Sequence, residues 1–253
     1  MTSIHQQITA RMKGMADPEQ AAHLARFFKT APGEYGEGDR FLGIRVPQTR
    51  AIVKGFRAQA EMADVERLIG SPWHEIRLAG FLLLVELYNA ASRPRRKASG
   101  AMQPQPRHIV DFYLSVIGRG NNWDLVDLVA PKILGDYLVT RPEERGILHE
   151  LAETEGRLWH QRVAMVANWT LIRDHQYDDA LRLAERFLDH PHDLMHKASG
   201  WMLREIGKRG GTGLLLAFLD RHAAQMPRTM LRYAIEQLPE PVRQHYLSVK
   251  PRK

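Results

Sequence analysis

Four charged side chains recur at a constant step in this sequence. Asp127, Arg162, Lys197 and Arg232 stand 35 residues apart, and they open the related strings Asp127-Leu-Val, Arg162-Val-Ala, Lys197-Ala-Ser and Arg232-Tyr-Ala. Three cations in register with one carboxylate resemble a track that grips phosphates, with a single negative group set inside it. Tryptophans accompany the row at helical spacing. Trp123 lies four residues before Asp127 and Trp201 four after Lys197, with Arg204 and Lys208 following on the face of Trp201. Residues three, four and seven apart share a helix face. An indole among cations makes a poor core face and suits packing on a sugar or a base. Trp159 and Trp169 sit among Leu158, Val163, Val166 and Leu171, and for them a core position is expected.

Composition narrows the chemistry. The 253 residues contain no cysteine, which excludes disulfides, thiolate zinc sites and thiolate-held iron-sulfur clusters. No Walker lysine loop, dinucleotide-binding glycine fingerprint or GxSxG elbow is present. His190, His192 and His196 lack the HExxH spacing and read as surface histidines, so no metal and no cofactor is expected. Lys and Arg number 36 against 29 Asp and Glu, a net charge of +7 with a pI near 9.8, which favours a polyanionic partner.

A step of 35 residues is that of helix pairs that stack, each too small to bury its apolar face alone. A related string, Arg77-Leu-Ala, precedes Asp127 by 50 residues, and the extra 15 fall within Asn89 to Arg107. Apolar residues at helical spacing, as in Ile76, Ala79, Gly80, Leu83, Leu84 and Leu87, predict amphipathic helices throughout. Asp17-Pro18, Ser71-Pro72, Arg141-Pro142, Pro191 and Pro239 punctuate them. Small residues two places into each string, Ala79, Ala164, Ser199 and Ala234, should let neighbouring helices approach closely. The expected fold is all-α, a HEAT-like helical-repeat solenoid with a concave basic groove. It forms one domain over 1–253, with a basic flexible insertion at about 89–107 and a frayed tail at about 248–253. The insertion carries Arg93, Arg95, Arg96, Lys97 and Arg107. No apolar run suggests a membrane span or export signal, so a cytoplasmic monomer, on the nucleoid when bound to DNA, is expected.

The strings FLGIRVP (Phe41 to Pro47), NNWDLVD (Asn121 to Asp127), PKILGDYL, RLWHQRVAM and KASGWMLREIGK resemble the AlkD family of DNA alkylation-repair glycosylases over most of the chain. The resemblance implies a catalytic set of Trp123, Asp127, Arg162 and Trp201, with Arg162 39 residues after Trp123 and Trp201 39 after Arg162. It further implies a metal-free enzyme that excises cationic N3- or N7-alkylated purines from duplex DNA without flipping the base into a pocket. Asp127 would stabilise positive charge developing on deoxyribose, the two tryptophans would pack on the lesion nucleotide, and Arg162 and Lys197 would hold flanking phosphates. Arg45, Arg77, Arg204, Lys208 and Arg232 complete the expected DNA contacts, with Phe27 standing where the family carries a Tyr. The alternatives are a non-catalytic repeat protein that binds bent or branched DNA, and a protein-protein scaffold.

Overall fold

The computed structural model describes residues 2–93 and 105–250. Among these the chain is all helical apart from one isolated parallel bridge, Arg40 to Trp73. Two compact units divide it, Met1–Val129 and Ala130–Lys253.

The first unit contains α1 (Ile4–Lys13), α2 (Pro18–Phe27), α3 (Val46–Phe56), α4 (Met62–Ile69), α5 (His74–Ser92), α6 (Pro106–Ser115) and the short α7 (Trp123–Asp127). Asp17 caps α2, its carboxylate accepting from the Gln20 amide at 3.0 Å, and Pro18 supplies the first helical residue. Helix α5 is central. Helices α3 and α4 pack against it, as do α6 and α7, and every residue from His74 to Val85 is buried. The expected one-sided helix is thus corrected to one buried all round, because it has neighbours on more than one side. Gly80 lets α4 approach, since a Cβ there would come within 2.9 Å of the Ile69 backbone nitrogen. The burial also encloses His74, Glu75 and Arg77, which must therefore find partners inside.

The second unit opens with a π-helical turn (Pro131–Gly135) and continues through α8 (Asp136–Val139), α9 (Gly146–Ala152), α10 (Leu158–Arg173), α11 (Asp178–Arg186), α12 (Asp193–Lys208), α13 (Thr212–His222), α14 (Arg228–Ile235) and α15 (Glu240–Ser248). Helix α12 packs on α10, α11, α13 and α14. At Gly200 the α12–α14 crossing is so close that a Cβ would lie 2.5 Å from the Met230 carbonyl oxygen. The close approach expected at Ala79 and Ser199 is made by the glycines that follow them, while Ala79, Ala164, Ser199 and Ala234 are themselves buried.

The repeat is visible in the helix starts. Trp123, Leu158, Asp193 and Arg228 begin α7, α10, α12 and α14, each 35 residues after the last, and Asp127, Arg162, Lys197 and Arg232 are the fifth residues of those helices. Two expectations need correction. The insertion expected from residue 89 begins later, because α5 continues to Ser92, and it ends earlier, because α6 starts at Pro106. Arg95, Arg96 and Lys97 lie outside the described residues, as do 251–253 of the expected tail. No described helix is long and apolar enough to cross a membrane.

Candidate active site and nucleic-acid interface

In the first unit the site grows from the start of α5. The Glu75 carboxylate turns into the loop before α3 and accepts from the backbone amides of Leu42, Gly43 and Ile44 at 2.8–3.1 Å. Gly43 is required there: its φ is +90°, and a Cβ would lie 2.1 Å from the Asp17 carbonyl oxygen. That loop places Arg40, whose carbonyl accepts from the His74 amide at 2.8 Å, and Phe41, whose ring stacks on the His74 imidazole with centroids 4.5 Å apart.

His74 lies between two carboxylates. Its Nδ1 is 2.8 Å from Asp39 Oδ2 and its Nε2 is 2.9 Å from Asp124 Oδ2, with all three side chains buried. Burial works against the imidazolium, but Asp124 and Asp39 outweigh it and raise the pKa of His74 to about 9. Burial works to raise that of Asp39, yet His74 and Arg77 hold it below the ordinary carboxylate value. Arg77 donates from one nitrogen to Asp39 at 2.7 Å and to Asn121 at 2.8 Å, and from the other to the Ser71 carbonyl at 3.2 Å. Two anions and two cations thus form a compact charge-balanced cluster.

This cluster fixes the start of α7. Asn121 is held by Arg77, Asn122 donates to the Phe28 carbonyl at 3.1 Å while capping Trp123, and Asp124 is held by His74. Trp123, set among these tethered residues, is half-buried and leans on an aromatic stack. Its ring is 5.2 Å from Phe28 and 5.9 Å from Phe27, and Phe28 in turn stacks on Phe41 at 5.3 Å. Asp127, one turn on, is also half-buried. The two acids of the NNWDLVD string therefore differ, Asp124 being buried against His74 and Asp127 half-buried. Asp127 adds to the effect of burial in pushing up the pKa of the buried Tyr113 hydroxyl. Phe27, 55% exposed, and Arg45 line an open groove of 740 Å³ together with His23 and Arg26, and Arg45 donates to Gln20 at 3.3 Å.

Arg77 does not meet its expectation as a DNA contact: it is 6% exposed and its guanidinium is spent on internal acceptors. It lies in the stretch of α5 that is buried on every side, where the fifth residue, Leu78, is buried as well.

In the second unit Arg162 is likewise buried, at 5% exposure, and donates to the Leu194 carbonyl at 2.5 Å, joining α10 to the first turn of α12. The row expected on one surface is therefore uneven. Lys197 is half-buried and pairs with Asp193 at 2.8 Å, Trp201 is half-buried, and Arg232 is exposed. Arg204 pairs with Glu236 and with Glu205, and Lys208 lies 3.4 Å from Glu205. Glu236 is exposed whereas Glu205 is buried, so Arg204 and Lys208 also neutralise an internal carboxylate. The N-terminus of α12 is capped by His192, whose Nδ1 accepts from the Leu194 amide at 3.1 Å. Burial, His196, Arg162 and Lys197 depress the pKa of His192 against the pull of Asp193, which keeps that nitrogen an acceptor. Trp159 and Trp169, expected in the core, are half-buried, and the Arg173 guanidinium lies 4.8 Å above the Trp169 ring.

The network of Asp39, His74 and Asp124 is what sequence reasoning missed. The available signal was the polar run His74, Glu75 and Arg77 opening an otherwise apolar helix, since such groups enter a core only with partners.

The described residues build an all-helical scaffold in which Trp123 and Asp127 stand on a five-residue helix. A family model described as DNA alkylation repair enzyme matches residues 8–238, and the chain belongs to that family. Among solved structures it is similar to one named as a predicted DNA alkylation repair enzyme from Enterococcus faecalis, with 17% identity, a TM-score of 0.67, and coverage of 89% of this chain and 97% of that one. That likeness is one of fold. No curated protein matches the chain.

Proposed function

We propose that this member of the DNA alkylation repair enzyme family is a monofunctional glycosylase that hydrolyses the bond between deoxyribose and an N3- or N7-alkylated purine in duplex DNA. The observation that carries the reading is the position of Asp127: half-buried at the end of α7, one turn from a half-buried indole, while the neighbouring Asp124 is consumed internally.

Alkylation makes the purine a cation, so the base leaves with the electron pair of its glycosidic bond as a neutral molecule and needs little general-acid help. Positive charge then grows on the sugar. A carboxylate about 4 Å away attracts it by about 4 kcal/mol at an effective dielectric near 20, roughly a thousandfold in rate if the attraction arises mainly in the transition state. Water adds to C1′, and Asp127 is the group proposed to orient it and take up its proton. Trp123 would pack against the sugar, its electron-rich face favouring the cation. In the second unit Trp201, Lys197, Arg204, Lys208 and Arg232 are the groups proposed to meet the DNA backbone, with Phe27 and Arg45 in the first. Contacts of that kind position the strand without reading its sequence. Arg162, buried against the first turn of α12, serves by setting the lie of the helix that carries Lys197 and Trp201.

The test is release of free methylated purines from methylated duplex DNA. Asp127→Asn should bind the duplex as the wild type does and lose about a thousandfold in single-turnover release. Equal release by the variant refutes the assignment, and duplex binding by a wild type that liberates no base favours the non-catalytic DNA-binding reading.

A further inference from the structure

We infer that His74 is a positioning residue for the chemistry on α7: bridged between Asp39 and Asp124, it locks the helix that bears Trp123 and Asp127 onto the buried helix α5. The chemical part rests on the glycosylase reading, whereas the mechanical part does not.

Helix α7 has five residues, and isolated helices shorter than about 12–15 residues are marginal in water. Its geometry must come from outside. Three side chains at its entry supply this, Asn121 on Arg77, Asn122 on the Phe28 carbonyl and Asp124 on His74, and two of the three partners belong to α5. His74 is the pivot. Only an imidazole with a proton on each nitrogen donates to both carboxylates at once, so Asp39 fixes the ring from one side while Asp124 hangs α7 from the other. Phe28 and Phe41 close over the ring, with centroids at 5.0 and 4.5 Å, and Phe28 is also the surface on which Trp123 rests. A shift of His74 therefore reaches the indole by two routes, through Asp124 in the backbone turn and through the Phe28 ring. Buried ion pairs add little net stability but can select one arrangement among near alternatives.

Asp124→Asn tests this, because it keeps the shape and removes the charge that His74 holds. Methylated-duplex affinity should stay within about twofold while single-turnover base release falls about 10- to 100-fold, the cost of misplacing a reacting group by about 1 Å. A readout independent of activity is the fluorine spectrum of protein labelled with 5-fluorotryptophan, with the Trp123 resonance assigned as the one that Trp123→Phe abolishes. That resonance should shift or split in Asp124→Asn, while those of Trp159, Trp169 and Trp201 stay in place. A folded variant that releases base at the wild-type rate, or leaves the Trp123 resonance unmoved, overturns the inference. Should the wild type release no base, the glycosylase reading fails and the fluorine spectrum alone decides about His74. Asp39→Asn, which loosens both the imidazole and the Arg77 guanidinium from their far side without changing a residue of α7, should give the same pattern and replaces Asp124→Asn if that variant does not fold.

Discussion

Moving from neutral to alkaline pH should unload the buried cluster on α5. The pKa of His74 is about 9 in the folded protein against an ordinary value of 6.5, so folding favours its protonated form. The stability it contributes is fully present below pH 6.5 and is lost as the pH rises through 9. A difference of roughly 2.5 units at about 1.4 kcal/mol per unit amounts to about 3–4 kcal/mol, of which about 2 kcal/mol disappears between pH 7 and pH 9. The groups facing the ring are Asp39, Asp124, Phe28 and Phe41, with Arg77 on the far side of Asp39. Urea unfolding followed by far-UV circular dichroism at several pH values between these limits, on wild type and His74→Gln in parallel, isolates the effect, since other titrating groups cancel in the difference. The gap in stability should narrow as the pH rises. A gap that stays constant across the range would show that the imidazole is not a buried cation, and with it the two-sided bridge would fall. Asp39→Asn should move the wild-type loss to lower pH by removing one of the two carboxylates that raise the His74 value. On the acid side the sign reverses: the contribution of Asp39, whose value is depressed, is present above its ordinary 3.8 and is lost as the pH falls through the lower folded value.

Gly200→Ala should lower the thermal midpoint, because its Cβ would lie 2.5 Å from the Met230 carbonyl oxygen and 2.6 Å from Tyr233 Cβ. Overpacking of this kind costs about 1–3 kcal/mol, and an unchanged melting curve would show that α12 and α14 are not in close contact. Arg232→Ala and Arg77→Ala should separate surface from interior cations. Loss of the exposed Arg232 should leave melting unchanged and reduce the salt dependence of duplex binding by about 0.9 in log–log slope, the share of one phosphate contact. Loss of Arg77 should strip the buried Asp39 of a cation at a cost of about 3–5 kcal/mol without altering that slope, and the reverse pattern would overturn both placements.

The helical character and the repeat could be read from the chain because they are local or periodic. Prolines mark helix starts, as Pro18 does, and the 35-residue step survives as the spacing of four helix starts. Arg77 was misplaced by matching a three-residue string. The start of α5 precedes that of α7 by 49 residues and not 50, and α5 offers no outward face between His74 and Val85 for a cation to occupy. Helix α5 defied its amphipathic pattern because burial depends on how many neighbours a helix acquires, which no single stretch of sequence encodes. Among the residues proposed for the site, Trp123 and Asp127 stood out by type and spacing. Asp39 and His74 did not, since Asp39 lies in a loop outside the helices and its meeting with His74, like that of His74 with Asp124, is made only by tertiary packing. Arg162 was expected at the site, but its inward course to the Leu194 carbonyl could be known only once α10 and α12 were seen side by side.

The brevity of α7 has a consequence for how this chain tolerates change. A helix of one turn that borrows its form from Arg77, His74 and Asp39 makes those distant positions genetically inseparable from it. In a survey of single variants they would score as losses of activity although none is proposed to touch DNA. Repair of a loss at Asp124 would be sought at His74 or Asp39, and such compensating pairs, absent from any inventory of surface contacts, would trace the cluster by inheritance alone.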